Sequence, residues 1–220
     1  MKHSLGYDEP VVFILDSDRE TRHALKALVK RLRQHAESYA SLEEFLAGCD
    51  ARRPGCALID AHLPGAPGEV AVRHLAQRGI FLPVILLAAR PEVAVAVRAM
   101  KAGAFDFLKK PWQDERLAEA IHDAIASDAA NRQRLAYCHK VRQRLERLTP
   151  GERRVLELLV DGKSNRAIAV ELGVHVRTVE VRRAKVMQKM RARSLAELVR
   201  AAVAVWGPLC RCRYEADDAG

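Results

Sequence analysis

The sequence predicts an α/β chain: a five-stranded, doubly wound parallel sheet followed by an all-α helix-turn-helix domain. Three observations carry this. Short apolar runs alternate with helix-period segments through the first part of the chain, the pattern of strand–helix units in a parallel sheet. The last third is helical throughout and punctuated by capping residues. Charge also divides the chain. Residues 1–128 hold 17 Lys+Arg against 18 Asp+Glu, while residues 129–220 hold 20 against 10, so all of the net +9 lies in the second part. Such asymmetry points to a module for nucleic acid or an anionic surface joined to a neutral one.

VVFIL (11–15) is a continuous apolar run of strand length. Residues 19–34 then have helical period, with Ala24, Leu25, Leu28, Val29 and Leu32 on one face. A weaker strand is expected at 35–39, and GCALI (55–59) is another buried strand. Helical signal follows at 67–78. PVILLAA (83–89) and FDFL (105–108) complete five strands, with helices at 91–102 and 114–126; the latter places Leu117, Ala118, Ile121 and Ile125 on one side. This gives a domain at 1–127.

Residues 128–147 are expected to form a helical linker. Leu135, Cys138, Val141, Leu145 and Leu148 make an apolar stripe on a charged segment. Two uses of it stay open: pairing with a second copy in a homodimer, or packing on its own domain.

The remaining residues, 148–220, form the helical domain and a tail. Thr149-Pro150-Gly151-Glu152 reads as a capped helix start. Further helices are expected from Ser164 to Gly173, from there to Met190, and from Ser194 to Ala204. Ile168, Ala169 and Leu172 face inward on one, Val179, Val186 and Met190 on the next. The opposite side of that second helix carries Thr178, Arg182, Lys185 and Lys189. Such a helix fits the major groove of double-stranded DNA, where Arg or Lys can bond guanine. Val181 is placed for a thymine methyl, Arg177 adds charge at the helix start, and Arg166 is placed for phosphate.

In the first domain, Asp16 and Asp18 follow the first strand, Asp60 the third, and Lys110-Pro111 the fifth. Carboxylates converging at the C-terminal ends of parallel strands can hold Mg²⁺, and a lysine beside them can pair with a phosphoryl group. Asp60 is the candidate nucleophile in phosphoryl transfer.

LTPGERRVLELLVDGKSNRAIAVELGVHVRTVEVRRAKVMQKM (148–190) resembles the LuxR-type DNA-binding domain. VVFILDSD, LIDAHLPG, PVILLAAR and AGAFDFLKKP resemble response-regulator receiver domains. The whole chain is similar to a FixJ/NarL-type response regulator. That resemblance implies a recognition helix at Val176–Met190, a dimer contact at 194–205, Asp60 as phospho-acceptor, Lys110 as its phosphoryl contact and Phe107 as the switch aromatic. It also implies Mg²⁺ on Asp16, Asp60 and the His62 carbonyl, and a sensor histidine kinase as partner. Three positions depart from the family pattern. Ser17 stands where a metal-binding acid is usual, with Asp18 as a possible compensation. Ala88 stands where a Thr or Ser donates to the phosphoryl group. His175 replaces the usual serine N-cap of the recognition helix. The expectation is therefore a transcription regulator with a degenerate receiver pocket and a weakened Mg²⁺ site, depending little or not at all on Asp60 phosphorylation. The alternative is a conventional phosphorylation switch.

Other classes fit less well. An enzyme would need more than this small pocket, which has no Gly-rich phosphate loop and no second base. No apolar run approaches the roughly 20 residues of a membrane span, and no signal peptide opens the chain, so a cytoplasmic setting is expected. A membrane-lying helix would carry Trp or Phe on its apolar face, and the recognition helix has neither. Cys49, Cys56, Cys138, Cys210 and Cys212 have no metal-type spacing and are expected as reduced thiols.

Overall fold

The computed structural model describes residues 9–50, 52–90 and 92–206. Cys210, Cys212 and the rest of the tail lie outside them. The chain divides into two units, Met1–Arg132 and Gln133–Gly220.

In the first unit, β1 (Val11–Leu15), β2 (His35–Tyr39), β3 (Gly55–Asp60), β6 (Val84–Ala88) and β7 (Asp106–Lys109) form one sheet in the order β2-β1-β3-β6-β7. All neighbours pair in parallel. A small antiparallel pair, β4 (His62–Leu63) and β5 (Ala66–Pro67), lies between β3 and α3 (Gly68–Gln77) in the chain. The apolar strand runs follow from burial on both faces. Val11, Phe13, Leu15, Ala57, Ile59, Val84 and Leu86 belong to one core, with α2 (Leu42–Gly48) and α3 supplying Leu42, Phe45, Ala71 and Leu75 and α4 (Val93–Lys101) supplying Ala99. Val12, Ile14, Cys56, Leu58, Ile85 and Leu87 belong to the other, with α1 (Arg19–Arg31) and α5 (Asp114–Glu146) supplying Leu25, Leu28, Val29, Leu117 and Ile121.

Four details differ from the sequence expectation. The helix expected to Gln34 ends at Arg31, because Arg33 turns to φ 57°. Ala24, expected on its inner face, is exposed. The short helix α2 was not foreseen. The helix expected at 114–126 runs without a break to Glu146, through the residues expected as a linker. Its Asp128 is 2% exposed and accepts from the Gly55 N–H at 2.9 Å and from Arg132 Nε at 2.6 Å. Gly55, at φ 146°, lies so close to β1 that a Cβ there would sit 1.8 Å from the Val11 carbonyl oxygen.

In the second unit, the end of α5 packs with α6 (Pro150–Val160), α7 (Asn165–Leu172), α8 (Val176–Met190) and α9 (Leu195–Trp206). Val141, Leu145 and Leu148 share one core with Val155, Leu159, Ile168, Val179, Val186 and Leu198. Cys138 is also buried, and its thiol donates to the Ala204 carbonyl. The stripe on this helix is therefore used within its own domain, the second of the two uses left open by the sequence. Thr149 caps α6 with a reciprocal Glu152 box, and Ser164 caps α7. Gly173, at φ 62°, makes the left-handed turn between α7 and α8 that a Cβ would strain.

Candidate functional site

Two sets of residues stand out, one in each unit. In the first, the ends of β1 and β3 and the loop after β7 bring together Asp16, Asp60 and Lys110. Asp16 is 1% exposed; its Oδ1 accepts from the Asp18 N–H at 2.9 Å and its Oδ2 from Lys110 Nζ at 2.6 Å. Lys110 Nζ also stands 3.2 Å from Asp60 Oδ2. The other Asp60 oxygen accepts from the His62 N–H at 3.1 Å. One ammonium thus bridges two carboxylates, leaving a single net negative charge.

Ala88 closes β6 fully buried, and its carbonyl accepts from the Lys110 N–H at 2.8 Å. Its side chain is a methyl, which has no hydrogen bond to offer an anion. Ser17 is exposed. Asp18 adjoins Asp16 through its backbone N–H, and the Lys110 charge acts on its carboxylate. It is the N-cap of α1, accepting from the Glu20 and Thr21 N–H groups and, at 2.6 Å, from the Thr21 hydroxyl. The Thr21 hydroxyl bond, foremost, lowers its pKa below the ordinary carboxylate value. That carboxylate is thus engaged at the start of α1. Phe107 is half-buried on β7, against the core that contains Phe13 and Leu86. Arg22 was missed. Its guanidinium donates to the carbonyls of Asp16 at 2.7 Å and Ser17 at 3.0 Å, holding the loop after β1. Nothing in the spacing marked it.

The second set lies on α7 and α8. α8 carries five basic residues and one acidic residue, Glu180. The structure sorts the five. Arg177 and Lys185 are exposed, Arg177 with a side chain 87% accessible. Arg183 donates to Asn165 Oδ1 on α7 at 3.1 Å. Arg182 is half-buried over the start of α6, its guanidinium so close that a Cβ on Gly151 would meet it at 3.2 Å. Lys189 Nζ bonds the Glu152 carboxylate at 2.6 Å and the Arg147 carbonyl at 3.1 Å. Thr178 is half-buried and Val181 is 46% exposed. The exposed stripe is thus Arg177, Val181, Ala184, Lys185 and Gln188, with Glu180 beside it. It is rotated from the Thr178–Arg182–Lys185–Lys189 stripe that spacing suggested, and Glu180, Ala184 and Gln188 share the exposed side. Arg166 is exposed and lines an open groove with Val170, His175 and Val176. His175 opens α8 without a side-chain cap bond.

Residues 12–122 match the response regulator receiver domain, and residues 146–202 match the bacterial regulatory proteins of the luxR family. The chain belongs to the response-regulator family. It is 38% identical to the transcriptional regulatory protein FixJ of Azorhizobium caulinodans, over 87% of this chain and 91% of that protein. It is 33% identical to nodulation protein W of Bradyrhizobium diazoefficiens, over 90% and 87%. Among solved structures it is similar to the response regulator StyR, with a TM-score of 0.74 at 34% identity, covering 88% of this chain and 98% of that one. This response regulator joins a receiver to a LuxR-type DNA-binding domain and is a two-component transcriptional regulator. The relatives it matches include transcriptional regulatory proteins and response regulator proteins. Its receiver implies a cognate kinase and a Mg²⁺ site of the family type, and its LuxR-type domain implies DNA binding. No helix among the described residues is long and apolar enough to cross a membrane.

Proposed function

We propose that this response regulator binds its operator under the control of a degenerate receiver, with weak or no dependence on Asp60 phosphorylation. The observation that carries this is the pocket itself: Lys110 bridges Asp16 and Asp60, and Ala88, whose carbonyl accepts from the Lys110 N–H, is buried and carries no hydroxyl.

The donor chemistry still fits a hard dication. Asp16, Asp60 and the His62 carbonyl would supply oxygens of the kind Mg²⁺ takes. When bound, the ion would offset the charge an added phosphoryl group brings. Ser17 supplies only a neutral hydroxyl, and Asp18 is engaged at its own helix. With two carboxylates beside the ammonium, the field drawing a dication is weaker than with three carboxylates beside the same ammonium. A phosphoryl group on Asp60 would meet Lys110 but no hydroxyl at position 88. Without that bond, the pull that would reposition Phe107 is missing.

In the second domain, Arg177, Val181 and Lys185 are the side chains best placed to enter the major groove, with Arg166 on phosphate. Thr178 and Arg182 flank that face. Homodimers through α9 and a setting in the cytoplasm fit this role. α9 leaves Leu195 and Val203 exposed, Val203 by 52%.

The test compares wild type, Asp60→Ala and the restored double variant Ser17→Asp/Ala88→Thr. Operator affinity is measured with and without Mg²⁺ plus beryllofluoride. Wild type and Asp60→Ala should ignore the treatment, and the restored variant should respond. A wild-type response that Asp60→Ala abolishes would establish the conventional switch instead.

A further inference from the structure

The sequence placed Lys189 on the DNA-facing side of α8, but its ammonium is turned inward. The Glu152 side chain is 5% exposed and that of Lys189 33%. Glu152 Oε2 accepts from Lys189 Nζ at 2.6 Å and from the Thr149 N–H at 2.8 Å. Lys189 also donates to the Arg147 carbonyl at 3.1 Å, just past the end of α5. One turn earlier, Arg144 Nη1 donates to the carbonyl of Met190 at 3.1 Å. That carbonyl belongs to the last turn of α8, where backbone acceptors have no partner inside the helix. Three bonds therefore tie the last two residues of α8 to the corner between α5 and α6. A buried carboxylate holds such a geometry firmly, because losing its cation would leave it uncompensated.

The rest of α8 is held differently. Val179 and Val186 pack in the core by apolar contact alone, which fixes depth but tolerates small rotations and slides along the helix axis. One directional bond lies mid-helix, from Arg183 to Asn165 Oδ1 on α7 at 3.1 Å; the three at Lys189 and Met190, with the buried charged pair among them, are at the C-terminal end. Arg177, Val181, Ala184, Lys185 and Gln188 form the exposed stripe, so a slight turn of the helix about its axis moves every one of them relative to a base edge.

We propose that Glu152 and Lys189 are a positioning pair: they fix the rotation of α8 from the α5–α6 corner and thereby set how well the domain tells its operator from other duplexes. The pair touches no base. This rests on α8 being the helix that enters the groove. The signature is specific. A phosphate-contacting lysine contributes to all sequences alike and to the salt dependence, whereas a positioning lysine contributes to discrimination only. Glu152 sharpens the contrast. Removing an acid near DNA should by simple electrostatics raise affinity; removing a positioning acid should lower operator affinity.

The experiment uses the full chain and two probes: the best duplex enriched from a random pool, and unselected random duplex. Lys189→Met and Glu152→Gln should each reduce the ratio of the two affinities by roughly tenfold or more, the size of one lost base contact. Random-duplex affinity and the salt slope should stay as in wild type. The double variant should be no worse than either single, because the two act as one unit. Lys189→Arg should keep most of the ratio. The proposal is overturned if Lys189→Met weakens both duplexes equally and flattens the salt slope by about one, or if Glu152→Gln leaves or improves the ratio. Circular dichroism at the assay temperature checks folding. Should Glu152→Gln unfold, the contrast between Lys189→Arg and Lys189→Met decides, with equal ratios for the two overturning the proposal. Lys185→Ala separates the two ideas: unchanged operator affinity there removes α8 from the groove, whatever the pair does.

Discussion

Leu145→Ala separates two uses of the apolar stripe on α5. Leu145 is 2% exposed and belongs to the core of the DNA-binding domain, with Val141, Val155 and Leu198. The substitution removes three carbons. At about 0.8 kcal/mol each, transfer alone costs roughly 2.4 kcal/mol. The cavity left among these side chains adds about 1 kcal/mol or more, so the total is about 3–4 kcal/mol, within the range measured for buried leucines. For a unit of this size that lowers Tm by roughly 12–30 °C. The assay is thermal unfolding of the full chain by far-UV circular dichroism, following the transition of the second domain at two protein concentrations about a hundredfold apart. Within-domain packing requires the same loss at both. A loss seen only at high concentration, with dimer present, would refute this reasoning and return the stripe to an interface between chains.

Lys110→Met should destabilise the receiver by about 2–4 kcal/mol, below the usual cost of breaking a buried pair because Asp16 keeps the Asp18 N–H; urea unfolding at neutral pH checks this, and a change under about 0.5 kcal/mol would oppose it. Gly55→Ala should prevent a stable receiver, since its Cβ would fall 1.8 Å from the Val11 carbonyl oxygen; a soluble variant with wild-type Tm would contradict the close approach. The bond from Lys189, foremost, then that from the Thr149 N–H, holds the Glu152 carboxyl below its ordinary value of 4.5. Its stabilising contribution is therefore full above the ordinary carboxyl range and is lost as pH falls through the lowered folded value. The Tm difference between wild type and Glu152→Gln should thus be constant near neutrality and shrink below about pH 4.5; a difference that grows on acidification would reverse the sign.

The sheet was legible because its central strands are buried on both faces: VVFIL and GCALI carry their signal in five consecutive residues. The helix α2 was not, because seven residues with Leu42, Phe45 and Leu46 as their large apolar side chains give little periodicity. Asp60, Lys110 and Asp16 could be placed together from strand ends alone. The capping role of Asp18 could have been read from a signal already present, an acid before a helix-period run with Glu20 in the first turn. The face of α8 was half legible. Val179, Val186 and Met190 marked the buried side, but the partners that draw in Arg183 and Lys189 come from α7 and α6, and Arg182 leans on Gly151. Such recruitment is a tertiary fact that helical spacing cannot express. The stripe on α5 was likewise visible, while what covers it was not.

The most direct measurement is enrichment from a random duplex pool, performed side by side with the full wild-type chain and with Asp60→Ala, no phosphodonor being added to either. One shared operator, bound with equal affinity by both, is the outcome predicted for a DNA reader freed from its acceptor aspartate. Failure of either protein to enrich any sequence until beryllofluoride and Mg²⁺ are supplied to the wild type would contradict it.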